Sequence, residues 1–234
     1  MTFFLISVKA NSFFCLFTDL KKAFNTVNYI LLSKLENYGL RGVVNDWFKS
    51  YLIGRRQYTT VNGYISDSYQ TLCGVPQGSV LGPLLFLLYI NDLRKSSNKL
   101  QFYLFADDTS LTYANGDLKK LESEINEEFF KVCSWLVVNK LTLNIEKTNY
   151  IIFRPRQKTI PFHPNIKIIN NNLNTSQLFE MKNYIRYLGI LIDSNLSWKF
   201  HIDYVCQKVS KTIGIIAKLR HFVPVMYFSL YTAL

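Results

Sequence analysis

Long hydrophobic runs, histidines and paired cysteines are all scarce in this sequence of 234 residues. No apolar run approaches the ~20 residues that a membrane-spanning helix needs, so we expect no membrane span. The four cysteines lie far apart without a CxxC pair, and the three histidines form no metal-binding spacing with them. We therefore expect neither a zinc site nor a disulfide framework, and we interpret the cysteines as reduced thiols of an intracellular protein.

Acidic residues are also few relative to basic ones. The chain has 27 Lys and Arg against 16 Asp and Glu, which gives a net charge of +11. This excess favours a polyanionic partner, nucleic acid ahead of an anionic membrane surface, although a merely basic soluble protein has the same balance. Hydrophobic residues make up 49% of the chain, which is enough for a buried core and argues against disorder.

The spacing of apolar and turn-forming residues predicts an α+β fold, a mixed or antiparallel sheet backed by helices. Strands are expected at residues 13–20, 57–62, 64–72, 100–106, 109–113, 149–153 and 186–192. Helices are expected at residues 26–38, 43–52, 79–93 and 118–136, with a last one starting near Ser197. An Asn-rich loop at 170–175 is expected to separate the core from the C-terminal part of the chain.

Two of these helices have marked faces. Asp117 is expected to cap the helix 118–136, whose glutamates are most simply a solvated outer face. These glutamates are Glu122, Glu124, Glu127 and Glu128. In the last helix four apolar residues are expected to point inward, beside a stripe of three lysines. The apolar residues are Val205, Val209, Ile213 and Ile216, and the lysines are Lys208, Lys211 and Lys218.

Three aspartates stand at chemically suggestive positions. Asp19 ends the first strand, and Asp107 and Asp108 are expected to form the two-residue tip of the hairpin 100–113. Taken alone, such residues are usually turn or capping residues. Brought together, however, like charges require protonation or a cation. Oxygen ligands favour Mg²⁺ or Mn²⁺, and two such ions serve in-line phosphoryl displacement.

Five segments, in order, resemble the motifs of reverse transcriptases. They are FTDLKKAF at 17–24, GVPQGSVLGP at 74–83 with YINDL at 89–93, FADD at 105–108, LTLN at 141–144 with Lys147, Thr148 and Phe153, and YLGILID at 187–193. Their wording is that of non-LTR, LINE-type, jockey-like retrotransposons, and the resemblance covers about residues 14–234. It implies a reverse-transcriptase-like palm with a partial helical thumb that begins around Trp198.

The resemblance also implies a metal site and a reaction. Asp19 and Asp107 would bind both Mg²⁺ (or Mn²⁺) ions, the backbone carbonyl of Leu20 would add a ligand, and Asp108 is the neighbouring carboxylate. A DNA primer 3′-hydroxyl would attack the α-phosphate of a dNTP, directed by an RNA template. Lys147 would be the general acid for the leaving pyrophosphate, although a solvated strand-edge lysine is the competing interpretation.

Substrate and nucleic-acid contacts are implied in the same way. Phe24 stands where the family places its sugar gate, an aromatic ring that excludes a 2′-hydroxyl; a plain core residue is the alternative. The full substrate-binding set is Leu20, Lys22, Ala23, Phe24, Gln77 and Gly78. The motif at 187–193 resembles a primer grip. The implied nucleic-acid-binding set is Tyr187, Leu188, Gly189, Lys208, Lys211 and Lys218.

Some features depart from the family pattern. Asn25 stands where relatives commonly carry Asp, and no basic fingers segment or endonuclease domain accompanies the motifs. We therefore expect a fragment or a decayed copy, divided into an apolar N-terminal remnant (1–13), a palm (14–193) and a partial thumb (194–234). No basic segment precedes the apolar residues 2–8, so a signal peptide is not expected.

Three functions remain open at this stage. The first is an RNA-directed DNA polymerase, and the second is a catalytically inactive, nucleic-acid-binding remnant of one. The third is a membrane-surface protein, which lacks a clear amphipathic anchor with basic flanks. No stable protein partner is implied.

Overall fold

The centre of the fold is an apolar strand, β1 (Phe13–Thr18), whose six side chains are all buried. In the computed structural model, residues 13–157, 162–170 and 175–219 are described. The expected N-terminal remnant, apart from Phe13, lies outside the described residues. So do most of the Asn-rich loop and the part of the expected thumb beyond residue 219.

The described elements are arranged in this order along the chain. The strands are β1, β2 (Arg56–Gln57), β3 (Thr60–Val61), β4 (Tyr64–Ile65), β5 (Tyr69–Gln70), β6 (Gln101–Phe105), β7 (Asp108–Ala114), β8 (Asn149–Phe153), β9 (Lys167–Asn170), β10 (Thr175–Leu178), β11 (Glu180–Met181), β12 (Tyr184–Tyr187) and β13 (Ile190–Asp193). The helices are α1 (Ala23–Thr26), α2 (Ile30–Asn37), α3 (Val43–Leu52), α4 (Leu81–Ile90) with a 3₁₀ turn (Asn91–Ser96), α5 (Leu118–Val138) and α6 (Lys199–Leu219).

Five strands form the main sheet, in the order β11-β8-β1-β7-β6. β1 is antiparallel to both of its neighbours, whereas β11 runs parallel to β8. The sheet is therefore mixed, and the α+β prediction is confirmed. Because β1 is hydrogen-bonded on both edges and covered on both faces, it is apolar throughout rather than alternating.

Helix α5 covers the sheet with the apolar face that the sequence predicted. Asp117 caps it, accepting a hydrogen bond from the Lys119 amide at 2.9 Å, and the periodic apolar residues are buried. These are Leu118, Leu121, Ile125, Phe129, Val132 and Leu136. The interpretation of Glu128 as a solvated residue was wrong: its side chain is buried and accepts hydrogen bonds from Ser97 Oγ at 2.6 Å and Lys131 Nζ at 2.7 Å.

The helix expected at 26–38 was also placed wrongly, because two short helices, α1 and α2, take its place. The Phe24 carbonyl accepts from the Val75 amide at 2.9 Å, and the Val27 carbonyl accepts from the Gly74 amide at 2.7 Å. Carbonyls used in this way cannot serve a continuous helix, so the chain turns between α1 and α2.

Residues 56–70 form the expected hairpin, with shorter strands than predicted. Asn62 and Gly63 make the turn, both in the left-handed region (φ 49° and 83°), as an Asn-Gly hairpin turn requires. The pairing of β2 with β5 and that of β3 with β4 differ in register by one residue. This offset indicates a bulge between the two pairs of strands.

The described residues divide into two compact units, one ending at Lys182 and the other beginning at Asn183. The palm-to-thumb boundary expected after residue 193 stays a prediction. In the second unit, the single strand expected at 186–192 was wrong, since β12 and β13 form a hairpin turned at Leu188 and Gly189. The inward face predicted for α6 was also wrong within the described residues: Val205, Val209, Ile213 and Ile216 are exposed. Among the helices that the structure describes, none is long and apolar enough to span a bilayer.

Candidate active site

Asp19 lies where β1 ends and the chain enters the loop before α1. The next residue, Leu20, forms an isolated antiparallel pair with Leu143. The bonds of this pair are made by the flanking residues: the Asn144 amide donates to Asp19 O and the Lys21 amide to Thr142 O, both at 2.8 Å. The Leu20 carbonyl therefore takes no part in the hydrogen bonds of this pair.

The carboxylate of Asp19 has a neutral and a cationic neighbour. Asn144 Nδ2 donates to Asp19 Oδ2 at 2.8 Å, and Lys147 Nζ lies 3.9 Å from the same oxygen. The side chain of Lys147 is 71% exposed, so this ion pair is weak in water. Lys147 can thus turn from Asp19 toward a bound ligand at little cost.

The hairpin between β6 and β7 turns one residue earlier than the sequence indicated. Ala106 and Asp107 form the turn, with Ala106 in the left-handed region (φ 51°), and Asp108 is already paired with Phe105. The prediction of an Asp107-Asp108 turn was therefore wrong by one position. Thr18 and Thr109 are the last pair of β1 and β7, so Asp19 and Asp108 are the residues directly beyond that pair.

Asp108 lies within the electrostatic influence of the two other aspartates. Burial raises the pKa of the Asp108 carboxyl, and the negative charges of Asp107 and then Asp19 raise it further. The repulsion between like charges that raises a carboxyl pKa can be reduced by binding a cation as well as by binding a proton. The carboxylates and the Leu20 carbonyl are all oxygen donors, the set that Mg²⁺ and Mn²⁺ prefer.

A cleft of about 650 Å³ opens beside Asp19 and Asp107. It brings together eight residues that the sequence had assigned to the site. These are Asp19, Leu20, Lys22, Ala23, Phe24, Gln77, Asp107 and Lys147. Gly78 and Asp108 do not line it. Within the described parts of the chain, no three acidic, histidine or cysteine side chains are grouped closely enough to hold a metal ion as they stand.

One wall of the cleft carries the expected sugar gate. The Phe24 ring lines the cleft and also packs on the Phe86 ring, with centroids 4.9 Å apart. Phe24 thus lines the cleft and also packs against the core, and its role as a sugar gate stays a prediction. Gln77, on the same wall, donates to Asn25 Oδ1 at 2.8 Å.

Comparison with known proteins shows the family of the chain that carries this cleft. The family model described as "Reverse transcriptase (RNA-dependent DNA polymerase)" matches residues 6–192, which include every strand of the main sheet. The chain belongs to the reverse transcriptase family. The family expected from the motifs is therefore confirmed.

Curated relatives of this reverse transcriptase chain include two Drosophila melanogaster proteins of non-LTR elements. The "Probable RNA-directed DNA polymerase from transposon X-element" is 30% identical over 203 residues, covering 85% of this chain and 21% of the relative. The "RNA-directed DNA polymerase from mobile element jockey" is 27% identical over 180 residues, covering 72% and 19%. The chain thus spans about a fifth of the length of these relatives.

Solved structures support the fold of the reverse transcriptase palm. An apo telomerase from Candida tropicalis, truncated from its C-terminal domain, aligns with a TM-score of 0.50 at 15% identity, covering 83% of this chain and 36% of that one. A Candida tropicalis telomerase in complex with a TWJ fragment of telomeric RNA aligns with a TM-score of 0.52 at 14% identity, covering 85% and 31%. The palm-like fold is confirmed.

The structure adds cleft residues that the sequence had not assigned to this reverse transcriptase site. They are Lys21, Thr26, Thr142, Asn144 and Glu146. The signal for Asn144 was present, since it ends the LTLN motif, but only folding reveals its bond to the Asp19 carboxylate. Lys21, Lys22 and Lys147 also give the cleft three cations beside its acidic residues.

The implied nucleic-acid-binding residues all lie in the second compact unit. Leu188 and Gly189, with φ of 48° and 83°, form the two-residue turn between β12 and β13. Asp193 anchors the start of α6: its carboxylate accepts from the amides of Ser197 at 3.0 Å and Trp198 at 2.9 Å. Although burial opposes ionisation, these and further hydrogen bonds lower the pKa of Asp193. The lysine stripe of α6 is exposed.

Proposed function

We propose that this chain is the catalytic palm of an RNA-directed DNA polymerase that adds deoxynucleotides to a DNA primer. The proposal is carried by one observation: Asp19, just after β1, and Asp107, in the turn between β6 and β7, line one cleft, and both raise the pKa of Asp108. Membership of the reverse transcriptase family supports it. The proposed partners are an RNA template, a DNA primer and dNTPs.

We further propose that Asp19, Asp107 and the Leu20 carbonyl hold two Mg²⁺ or Mn²⁺ ions, with Asp108 beside them. When bound, such ions lower the pKa of the primer hydroxyl and neutralise charge on the triphosphate. The chain's own residues then orient the reactants. Asn144 holds the Asp19 carboxylate in place, and Lys147, 3.9 Å from it, is within reach to protonate the leaving pyrophosphate.

The remaining cleft residues are proposed to select the nucleotide. Phe24 would exclude a 2′-hydroxyl because its ring is braced by Phe86 and cannot easily withdraw. Lys22 and Ala23 lie beside it, and Gln77 and Gly78 would meet the nucleotide and the template strand. The positive φ of Gly78 (78°) leaves that backbone open to close approach. The β12–β13 turn and the α6 lysines would contact primer and template.

The alternative is a catalytically inactive remnant that still binds nucleic acid. It is favoured by the absence, in the described residues, of a cluster already arranged to hold a metal. The basic stripe of α6 would then account for binding without any reaction.

Primer extension distinguishes the two functions. We expect purified chain to extend oligo(dT) on poly(rA) with dTTP, with Mg²⁺ or Mn²⁺, and expect Asp107→Asn to abolish extension. Asp67→Asn, which removes one charge from an exposed loop, is the control for net charge. Template binding without extension under any metal condition would favour the inactive remnant. Extension at the wild-type rate by Asp107→Asn would place the activity elsewhere.

A further inference from the structure

The wall of the cleft that carries Phe24 is not self-supporting. Helix α1 has only four residues, fewer than a helix needs to be stable by itself. The helix and the residue that follows it are instead bound by the loop 73–77: the Val75 amide donates to Phe24 O at 2.9 Å, and the Gly74 amide to Val27 O at 2.7 Å. The position of the Phe24 backbone is therefore set by a loop that is distant in sequence.

Two side chains tighten the same contact. Gln77 Nε2 donates to Asn25 Oδ1 at 2.8 Å, and Cys73 Sγ lies 3.1 Å from Asn25 O. The backbones also touch at Gly74, where a Cβ atom would lie 2.9 Å from Asn25 Cα and from its carbonyl oxygen. Gly74 has a φ of 89°, so this close approach requires glycine. Residues 23–27 and 73–77, here called the paired segments, thus form one unit.

Arg55 attaches the paired segments to the rest of the palm. Its Nε donates to the Leu52 carbonyl at the end of α3 at 3.1 Å, and its Nη2 donates to the Gly74 carbonyl. A guanidinium can bridge two carbonyls because its donors form a rigid planar fork, whereas an ammonium group is a single point. Arg55 is half-buried and does not line the cleft.

We infer that Arg55 is a positioning residue for nucleotide selection: it fixes Gly74, and through the paired segments it fixes Phe24. The inference rests on the proposed function, since Phe24 must be the sugar gate. Arg55 thus lies outside the cleft but controls the discrimination between deoxynucleotides and ribonucleotides inside it. Arg56, the next residue, makes its hydrogen bonds to Ser68 instead and offers a matched control.

The first measurement does not depend on activity. Cys73 is half-buried in the paired segments, so its alkylation rate, followed by mass spectrometry, reports their separation. Loss of hydrogen bonds from a charged donor should raise the open population, and hence this rate, on the order of tenfold in Arg55→Leu. The alkylation rate of Arg55→Lys should lie between those of the wild type and Arg55→Leu. The rate of Arg56→Leu should match that of the wild type. Cys206, which is exposed, and Cys15, which is buried, should react as before.

The second measurement compares incorporation of dTTP and UTP. In Arg55→Leu the preference for dTTP over UTP should fall several-fold. Arg55→Lys should regain part of this preference, and Arg56→Leu should keep all of it. An unchanged Cys73 rate in Arg55→Leu would overturn the inference. So would a parallel rise at Cys15, which means general unfolding, or an equal loss of dTTP and UTP incorporation. If the wild type extends no primer, the proposed function fails, while the Cys73 rates still decide whether Arg55 holds the paired segments.

Discussion

Replacing Asp108 with asparagine should stabilise the chain at neutral pH while harming any metal-dependent reaction. Burial, Asp107 and Asp19 all raise the pKa of Asp108. The folded state therefore binds more protons at this group than the unfolded state, and stability falls as pH rises through the window from the unfolded pKa to the raised folded pKa. Above that window the ionised carboxylate opposes folding, and asparagine removes this effect.

The expected gain can be worked out from the register of the sheet. Asp19 and Asp108 are the residues directly beyond Thr18 and Thr109, the last pair of β1 and β7, and the spacing of facing residues on antiparallel strands, about 5 Å between Cβ atoms, gives the scale of their separation. One like-charge pair at ~5 Å and an effective dielectric of ~40–80 costs about 0.8–1.7 kcal/mol. We therefore expect Asp108→Asn to raise the free energy of unfolding by about 1 kcal/mol at pH 7.

Urea unfolding at pH 7 and at pH 3 measures this effect. At pH 3 the gain should be mostly lost, because an unfolded aspartate, with a pKa of ~3.9, is then largely protonated. Added Mn²⁺ should raise the midpoint of the wild type more than that of the variant. Asp67→Asn, in an exposed loop, controls for net charge. A gain of equal size at both pH values, or a loss at pH 7, would refute the electrostatic reasoning.

Three further predictions concern activity and binding. Asp107→Asn should abolish primer extension without lowering the thermal unfolding midpoint, because it also removes a like charge beside Asp108; a folded variant that still extends would contradict the metal site. Phe24→Ala should let ribonucleotides be incorporated more readily, measured as the ratio of UTP to dTTP use. Some stability should be lost because the contact with Phe86 is removed. An unchanged ratio in folded protein would place the gate on another residue. Replacing Lys208, Lys211 and Lys218 together by alanine should reduce the slope of log K against log salt for primer–template binding by about 2.7, at ~0.9 for each phosphate contact. Fluorescence anisotropy measures this slope, and an unchanged slope would show that these lysines contact no phosphate.

Two predictions that rested on local pattern agree closely with the structure. Helix α3 was expected at residues 43–52 and is found there, and α5 buries the predicted face and has the predicted cap. These features are local, since a capping side chain and a 3.6-residue apolar period act within one element. The order of the motifs was also enough to give the family and the palm-like fold.

Contacts that the local pattern does not reveal decided the rest. The helix expected at 26–38 was interrupted where the Val27 carbonyl accepts from the Gly74 amide, and Glu128 was buried because the distant Ser97 joins the neighbouring Lys131 as a partner for its charge. The hairpin turn moved to Ala106 and Asp107 because pairing with β6 fixed Asp108 within the strand. The type of a residue does not by itself reveal which other residue it will contact in the folded chain.

The candidate site shows the same division. The sequence by itself identified Asp19, Asp107 and Phe24, which line the cleft, because those residues carry the chemistry, whereas it missed Glu146 and also assigned Asp108, which does not line the cleft. Only the tertiary structure decided that Asn144 holds Asp19, that Phe86 braces Phe24, and that Arg55 joins α3 to the loop 73–77. Such supporting contacts depend on which segments meet in the folded chain, and a residue's type and local spacing do not specify its distant partner.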